Sequence, residues 1–349
     1  MSRVAIALSG GVDSSLAAKI LLEAGHEVIA VTMKLQNSAQ NSSSCAGDAA
    51  IAKARAAAQE LGIPFHVCDI SNEFKDIILK YAWNDYKNAR TPSPCVFCNE
   101  RIKFGKLWQF AQNLACKQLA TGHYARIEKR GERHVLCRGV DKKKDQSYFL
   151  AGLRSETLAN ILFPLGGMEK EEVRRRAEHF ALLSAQAPDS QNVCIVEEGR
   201  SFAQTLADIF GEEAEGGYFV DGEGRKIKAH RGLHHYTIGQ RHGLGNLIPT
   251  KAAWVKEIRR PNVVITTQTD ELLRTDCSAH ELVWNCDEIP QRVSAQIRYR
   301  HRAQEAFIDY NKDEDLCKIQ FSTPVRAVSP GQIIVFYDGD IVLGRGILL

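Results

Sequence analysis

The first part of the chain alternates short apolar runs with segments in which apolar residues recur at helical spacing. The run at residues 4–8 stops at Ser9-Gly10-Gly11, and helical periodicity then continues to Gly25. The same alternation predicts strands at 4–8, 28–33, 65–68 and 118–121 and helices around 16–21, 51–61, 74–81 and 104–111. Apolar strands separated by helices indicate an α/β fold with a doubly wound parallel sheet, whose ligands lie beyond the carboxyl ends of the strands.

The pattern changes further along the chain. A Ser- and Asn-rich segment at 37–44 predicts a loop, 168–180 a charged helix, and 216–250, rich in Gly and His, loops and short hairpins. From about residue 275 apolar and polar residues alternate, and Asp338-Gly339 is a two-residue hairpin signal. We therefore predict a catalytic α/β domain at 1–205 with a helical excursion near 161–183, a small central domain at 206–272, and a C-terminal β-barrel at 273–349.

The composition is that of an ordinary globular protein, with 349 residues, 44% hydrophobic and 25% charged. No run approaches the ~18 apolar residues of a membrane helix, and the first strand follows the N-terminus too closely for a targeting peptide. We therefore expect a cytoplasmic protein without a membrane part. The net charge of +3 says little about nucleic acid. Ten cysteines in a reducing compartment are not expected to form a disulfide framework, so their spacing has to be interpreted.

The segment Ser9-Gly10-Gly11-Val12-Asp13-Ser14 joins the first strand to the first helix. Adjacent glycines bring backbone amides close to a ligand, and a helix N-terminus attracts anions. Without Gly-Lys-Ser/Thr, the segment is not a Walker A loop. A tight turn capped by Ser and Asp is the alternative. Asp13 is unexpected beside an anion unless Mg²⁺ lies there, so the pattern favours a phosphate site with magnesium.

Cys95 and Cys98 form a Cys-x-x-Cys turn before the helix predicted at 104–111. The motif suits a redox pair, half of a zinc or iron–sulfur site, or a nucleophile, or it is incidental. A zinc site needs a second Cys/His pair with short spacing, and the sequence has none. The helix N-terminus, with Arg101 and Lys103, is expected to lower a thiol pKa. Cys194, taken alone, is typical of a buried core residue.

The phosphate-loop segment resembles the SGGxDS signature of the ATP pyrophosphatases, or PP-loop enzymes. These enzymes split ATP between its α and β phosphates and adenylate an oxygen of the substrate. Nearly the whole chain resembles the bacterial tRNA-specific 2-thiouridylase family. The strings that carry the resemblance are ALSGGVDSS at 7–15, TPSPCVFCNERIKF at 91–104, ATGHYAR at 120–126, KDQSYFL at 144–150, PDSQNVC at 188–194, YTIGQRHGLG at 236–245, IRYR at 297–300 and VSPGQIIVFYDGD at 328–340.

The resemblance implies an adenine nucleotide α-hydrolase-like catalytic domain and a role for individual residues. Cys98 and Cys194 are implied to be catalytic, with Cys194 carrying a persulfide that Cys98 resolves as a disulfide. ATP is expected to contact Ala7, Leu8, Ser9, Gly10, Gly11, Val12, Asp13, Ser14, Met33 and Gly122. The tRNA is expected to contact Ser93, Pro94 and Cys95, which face the target base, and His123, Lys144, Asp145, Gln146, Arg298, Tyr299 and Gln332. Ser93 stands where the family usually has Asn.

The implied reaction is ATP-dependent thiolation of tRNA. The C2 oxygen of a uridine is adenylated and then replaced by sulfur, with release of AMP and pyrophosphate. The family implies the wobble uridine of the tRNAs for Lys, Glu and Gln, and a cysteine desulfurase or a sulfur-relay protein as donor. A PP-loop ligase acting on a small molecule would leave the three cysteines unused, and a non-catalytic RNA-binding protein would leave the phosphate loop unused.

The three cysteines permit a second chemistry. Their spacing also suits three ligands of a 4Fe–4S cluster that leaves one iron open for sulfide. We favour the persulfide route, which needs only Cys98 and Cys194, while Cys95 then only shapes the turn.

Overall fold

The structure is a computed structural model that describes residues 2–36, 47–188, 194–196, 199–211, 216–248 and 251–349. The loop predicted at 37–44 lies outside these residues. Among the described residues no helix is long and apolar enough to cross a membrane. The α-helices are α1 (Val12–Glu23), α2 (Asp48–Glu60), α3 (Ser71–Phe74), α4 (Lys80–Lys87), α5 (Pro94–Phe97), α6 (Trp108–Asn113), α7 (Ser147–Leu150), α8 (Ser155–Leu158), α9 (Lys170–His179) and α10 (Phe202–Phe210). Two stretches are π-helical, Lys75–Leu79 and Cys98–Leu107, and two are 3₁₀, Leu233–His235 and Thr269–Leu272.

The strands fall into three sheets. They are β1 (Arg3–Ala7), β2 (Glu27–Lys34), β3 (Phe65–Asp69), β4 (Gln118–Ala120), β5 (Ala125–Arg130), β6 (Arg133–Arg138), β7 (Ile161–Leu162), β8 (Gly217–Val220), β9 (Lys226–His230), β10 (Trp254–Arg259), β11 (Asn262–Thr266), β12 (Leu273–Trp284), β13 (Arg292–Gln296), β14 (Gln304–Asn311), β15 (Leu316–Arg326), β16 (Ile333–Asp338) and β17 (Ile341–Leu348).

The chain divides into two compact units, each assembled from separate segments. The first comprises Met1–Ile78, Cys95–Arg200 and Asp340–Val342. The second comprises Leu79–Pro94, Ser201–Gly339 and Leu343–Leu349.

The first unit is built on a parallel sheet with strand order β3-β2-β1-β4-β7. The central strand β1 is fully buried at Val4, Ala5 and Ile6 because helices cover both of its faces. Helices α1 and α9 pack on each other and on this sheet, with Leu16 and Val173 in one core. The predicted doubly wound sheet is confirmed. Its strand order reverses between β1 and β4, which is where such sheets bind ligands.

The second unit contains two β structures. Strands β10-β11-β8-β9 form a small sheet around Phe219, Val255 and Val263. Strands β12-β15-β14-β13-β16-β17 form an antiparallel sheet, and β12 also pairs with β17, so six strands close into a barrel. The predicted C-terminal barrel is confirmed. The predicted hairpin joins β16 to β17, with Gly339 at φ +56° in the turn.

Candidate active site

The phosphate loop leaves the carboxyl end of β1 and enters α1. Gly10 has φ +76°, and a Cβ there would lie 2.7 Å from the carbonyl carbon of Lys53 in α2, so only glycine fits this approach. The hydroxyls of Ser9 and Ser14 lie 3.1 Å apart. The N-cap residue of α1 is Gly11, which has no side chain to cap the helix. The first amides of the helix are therefore available to a potential anion.

The residues predicted to contact ATP lie at the carboxyl ends of three neighbouring strands. Ala7 ends β1, Leu8 continues it by donating its amide to Val31, and Val12 begins α1. Met33 lies near the end of β2. Gly122 follows β4, and a Cβ on it would lie 2.9 Å from the backbone of Asp13 and Ser14. The structure thus brings Gly122 against the phosphate loop. Contact of these residues with ATP stays a prediction.

Asp13 has two partners that the sequence analysis missed. Its Oδ1 accepts hydrogen bonds from Lys170 Nζ at 2.6 Å and from the Tyr124 hydroxyl at 2.7 Å. The Lys170 side chain is 10% exposed and that of Asp13 35% exposed, so the ion pair is largely shielded from water. One sequence signal for Lys170 exists: a lysine in the first turn of a helix opposes the helix dipole, so it needs another reason to be there.

Asp13 also fits the predicted magnesium ion. Within the described part of the chain, its second carboxylate oxygen, Oδ2, accepts no hydrogen bond. Mg²⁺ commonly takes one carboxylate oxygen together with phosphates and water. The available oxygen beside the phosphate loop therefore suits a magnesium ion that arrives with ATP.

The two cysteines of the Cys-x-x-Cys motif lie inside a helix. Cys95 is in α5 and Cys98 begins the π-helical stretch, so the predicted turn before a helix is wrong. Burial raises the pKa of Cys98 to about 12 and, with the charge of Cys194, the pKa of Cys95 to about 11. Lys103 opposes both shifts but is the weaker influence. The expected lowering of a thiol pKa is therefore wrong, because burial disfavours the thiolate more than one lysine favours it.

Cys194 is exposed, not buried in the core as expected for the isolated residue. Residues 189–193 of its motif lie outside the described residues. Its charge raises the pKa of both Cys95 and Cys98, so the three thiols are close enough to interact electrostatically. Over the described ranges, no three His, Cys, Asp or Glu side chains are placed to hold a metal. The described residues thus give the 4Fe–4S alternative no support, and we derive no step through a cluster.

His123, predicted to contact tRNA, is held by its neighbours. Burial, with the charge of Lys103, moves its pKa well below the usual 6.5, so the ring is neutral at pH 7. Its Nε2 lies 3.4 Å from Lys103 Nζ, and its Nδ1 lies 2.6 Å from Thr121 Oγ1. Because an ammonium can only donate, Nε2 is the accepting nitrogen and Nδ1–H donates to Thr121. The phenyl rings of Phe104 and Phe163 flank the imidazole.

Two of the three loop residues predicted to contact tRNA use their side chains internally. The buried carboxylate of Asp145 accepts from the amides of Gly139 and Ser147, from the Ser147 hydroxyl and from Arg138. Gln146 accepts the amide of Tyr124 at 3.0 Å. Lys144 is half-buried, beside the exposed Lys142 and Lys143. Asp145 and Gln146 thus shape the loop that presents the lysines, and RNA contact by all three stays a prediction.

The remaining predicted tRNA residues lie in the second unit. Arg298 donates to the carbonyl of Ala327 at 2.5 Å, and the carbonyl of Tyr299 accepts from Gln296 at 2.8 Å. Gln332 donates to the carbonyls of Thr91 and Pro92 at 3.1 and 3.3 Å.

Ser93, the first residue of the segment predicted to face the target base, is bonded to the barrel strand β16. The hydroxyl of Ser93 accepts the amide of Ile333 at 3.3 Å, just after the Gln332 contacts. Pro94 is the first residue of α5, a position that proline favours.

Comparison with known proteins covers the whole chain. The profile described as the tRNA methyl transferase HUP domain matches residues 2–198, the tRNA methyl transferase PRC-barrel domain matches 203–267, and the aminomethyltransferase beta-barrel domain matches 274–348. The tRNA-specific 2-thiouridylase MnmA of Acetivibrio thermocellus is 37% identical over 99% of both chains. Proteins of the same name are 40% identical in Rippkaea orientalis, over 100% of this chain and 99% of the relative, and in Carboxydothermus hydrogenoformans, over 99% and 96%.

Proposed function

The chain belongs to the tRNA-specific 2-thiouridylase family, and from this we propose that it converts a uridine of tRNA to 2-thiouridine with ATP, releasing AMP and pyrophosphate. The observation that carries the proposal lies in the first unit. It combines a phosphate loop that leads into a helix with a glycine N-cap and three cysteines close enough for ionisation of Cys194 to raise the pKa of the other two thiols. A ligase acting on a small molecule would use the first feature and not the second.

The first half-reaction turns the C2 oxygen of uridine into a leaving group. That oxygen attacks the α-phosphorus of ATP, the N3 proton is lost, and pyrophosphate leaves. The amides at the start of α1 and the hydroxyls of Ser9 and Ser14 would hold the phosphates. Asp13 would hold Mg²⁺, which when bound neutralises charge on the phosphates.

The second half-reaction delivers sulfur. A donor first leaves a persulfide on Cys194, whose exposure supports this role. The terminal sulfur attacks C2, and AMP leaves with the oxygen. Cys98 then attacks Sγ of Cys194, which forms a disulfide and frees the 2-thiocarbonyl, while the Cys98 proton returns to N3. An external thiol reduces the disulfide before the next cycle.

The substrate and the donor are proposed from the family. We take the target to be the wobble uridine of tRNAs for Lys, Glu and Gln, in the cytoplasm. The base has to leave the anticodon stack to be reached, as single-stranded RNA loops permit. The sulfur donor is proposed to be a cysteine desulfurase or a sulfur-relay protein.

A reconstituted assay tests this function. Purified protein is incubated with ATP labelled at the α-phosphate, an unmodified tRNA transcript, a cysteine desulfurase with its substrate cysteine, and a thiol that reduces the disulfide after each cycle. We expect AMP formation that depends on tRNA, and 2-thiouridine in the nucleosides analysed by mass spectrometry. AMP formation without tRNA, and no 2-thiouridine with it, would contradict the proposal.

The same assay separates the two cysteine chemistries. The persulfide route predicts that Cys98→Ala and Cys194→Ala are inactive, whereas Cys95→Ala keeps substantial thiolation in aerobically purified enzyme. A Cys95→Ala protein that binds ATP and tRNA normally but does not thiolate, together with a brown iron chromophore in the unmodified enzyme, would contradict it.

A further inference from the structure

The loop at residues 141–146 is joined to Asp13 of the phosphate loop by two separate chains of contacts. Both chains end on the same carboxylate oxygen, Oδ1 of Asp13. The exposed Lys142 and Lys143 and the half-buried Lys144 make this loop a basic surface suited to RNA phosphates. The two chains therefore lead from a predicted RNA surface to a predicted nucleotide site.

The first chain runs through Asp141 and Lys170. Asp141 Oδ1 accepts the amides of Lys143 and Lys144 at 2.9 and 3.2 Å, and its Oδ2 accepts the amide of Lys170 at 3.0 Å. Partial burial opposes its ionisation, yet these three amides and the charge of Lys144 hold the pKa of Asp141 below its usual value. The carboxylate thus ties the lysine loop to the first residue of α9, whose side chain bonds Asp13.

The second chain runs through Gln146 and Tyr124. The Gln146 side chain accepts the Tyr124 amide, and the Gln146 amide donates to the Tyr124 carbonyl at 2.9 Å. The buried Tyr124 then donates its hydroxyl to Asp13. The backbone of Tyr124 makes two hydrogen bonds with Gln146, and its hydroxyl makes a short one with Asp13. Tyr124 therefore has little freedom to move independently of the loop.

Close packing of the helices allows these chains of contacts to transmit a displacement from the loop to Asp13. Helix α9 presents Lys170 from its first turn and packs along α1, the helix that begins with Val12 and Asp13. Val173 and Ala177 of α9 are fully buried in that core. A close-packed core does not absorb a displacement of the helices within it. A shift of the lysine loop therefore changes the position in which Lys170 and Tyr124 hold the Asp13 carboxylate.

We propose that Asp141 and Tyr124 are positioning residues that couple RNA binding at loop 141–146 to nucleotide binding at Asp13. This inference rests on the proposed function. RNA that fixes the lysine loop fixes Asp13 for the nucleotide, and nucleotide at Asp13 tightens RNA binding by the same factor, because coupling between two ligands is reciprocal. ATP then reacts chiefly when tRNA is bound.

Equilibrium binding measures the coupling directly. The dissociation constant of an ATP analogue with a methylene group between the α and β phosphates is measured with and without saturating unmodified tRNA. The ratio of the two constants is the coupling factor. We expect a factor of at least about five in the unmodified protein, the lower end of typical couplings. Asp141→Asn and Tyr124→Phe should each lower it to about two, and the double variant to about one.

Matched controls keep the result interpretable. Asp221→Asn changes a half-buried aspartate of the second unit that, like Asp141, accepts backbone amides, here those of Glu223 and Arg225, and it should leave the factor unchanged. Tyr124→Phe keeps the buried ring, so it decides the question if Asp141→Asn folds poorly. A factor of one in the unmodified protein, or unchanged factors in Tyr124→Phe and in folded Asp141→Asn, would overturn the inference. Absence of tRNA binding or thiolation by the unmodified protein would instead overturn the proposed function.

Discussion

The partners of Asp13 explain how an acidic residue can lie in a loop that is predicted to bind phosphate. Lys170 balances its charge through Oδ1, and Oδ2 remains available for a metal ion. The sequence predicted an anion site and showed that Asp13 is unexpected beside an anion. It did not predict the ion pair with Lys170, which is 157 positions away along the chain. Nothing in the local pattern of either residue indicates that they meet.

We predict that Asp13→Asn abolishes AMP formation while tRNA still binds. Asparagine keeps an oxygen that accepts from Tyr124 and Lys170, but it loses the charge that holds Mg²⁺. Asp13→Ala should fail in the same way and also lower the free energy of unfolding by about 3–5 kcal/mol, because it leaves a buried cation without its partner. Labelled-ATP turnover, tRNA filter binding and denaturant melts measure the three effects. Normal turnover by Asp13→Asn would remove the phosphate-loop assignment.

The thiol of Cys98 should react slowly at neutral pH. Burial raises its pKa to about 12, and only the thiolate is nucleophilic, so the reactive fraction at pH 8 is about 10⁻⁴. Its labelling by iodoacetamide, followed by mass spectrometry, should rise about tenfold per pH unit from pH 7 to 10. The same cysteine in urea, with an ordinary pKa near 8.5, should level off above about pH 9. A plateau below pH 8 in the folded protein would contradict the prediction.

At the scale of elements, the alternation of apolar runs and helical periods located four of the five strands of the parallel sheet and most of its helices. It missed β7 (Ile161–Leu162), a strand at the start of the predicted helical excursion at 161–183, because two residues are too few to show a period. It did not predict the π-helical stretch at Cys98–Leu107, because a change from four- to five-residue hydrogen bonds leaves little trace in the hydrophobic pattern. The change matters for Cys98 and Lys103. An α-helix would turn residues five apart by about 140°, whereas five-residue bonding aligns them roughly on one side, consistent with the influence of Lys103 on the thiol.

The contact between the end of β4 and the phosphate loop gives an element-scale prediction. Gly122→Ala would place a methyl group 2.9 Å from the backbone of Asp13 and Ser14, where neither neighbour is a flexible side chain. The loop must shift, so we expect ATP affinity to fall at least about tenfold with tRNA affinity retained. Gly167→Ala is the matched control, since no atom lies within 4 Å of the added methyl group. Equal ATP affinity of the two variants, measured by calorimetry, would show that Gly122 does not support the loop.

At the scale of the whole molecule, the sequence predicted an α/β region followed by a β-barrel, and both are present. It did not predict that the segments interleave. Leu79–Pro94 belongs to the unit that contains the barrel, and Asp340–Val342 belongs to the unit that contains the parallel sheet. Ile341 pairs with Cys137 of β6, a contact between distant positions that composition and periodicity do not encode. The Gln332 contacts with Thr91 and Pro92 were missed for the same reason.

Salt dependence tests whether tRNA engages residues of both units. Lys144 lies in the first unit and Arg298 in the second, and each is predicted to neutralise a phosphate. Replacing either with Ala should weaken tRNA binding and reduce the slope of log affinity against log salt by about one, because one fewer counterion is released. The double variant should lose about two.

Arg298→Ala also removes its bond to the Ala327 carbonyl. This loss lowers tRNA affinity at every salt concentration alike, so the slope isolates the effect of the charge. Lys318→Ala, which removes the same charge from an exposed position of β15, should leave the slope unchanged. A reduced slope for Lys144→Ala alone would confine the phosphate contacts to the first unit, and unchanged slopes for both variants would place the RNA on other residues.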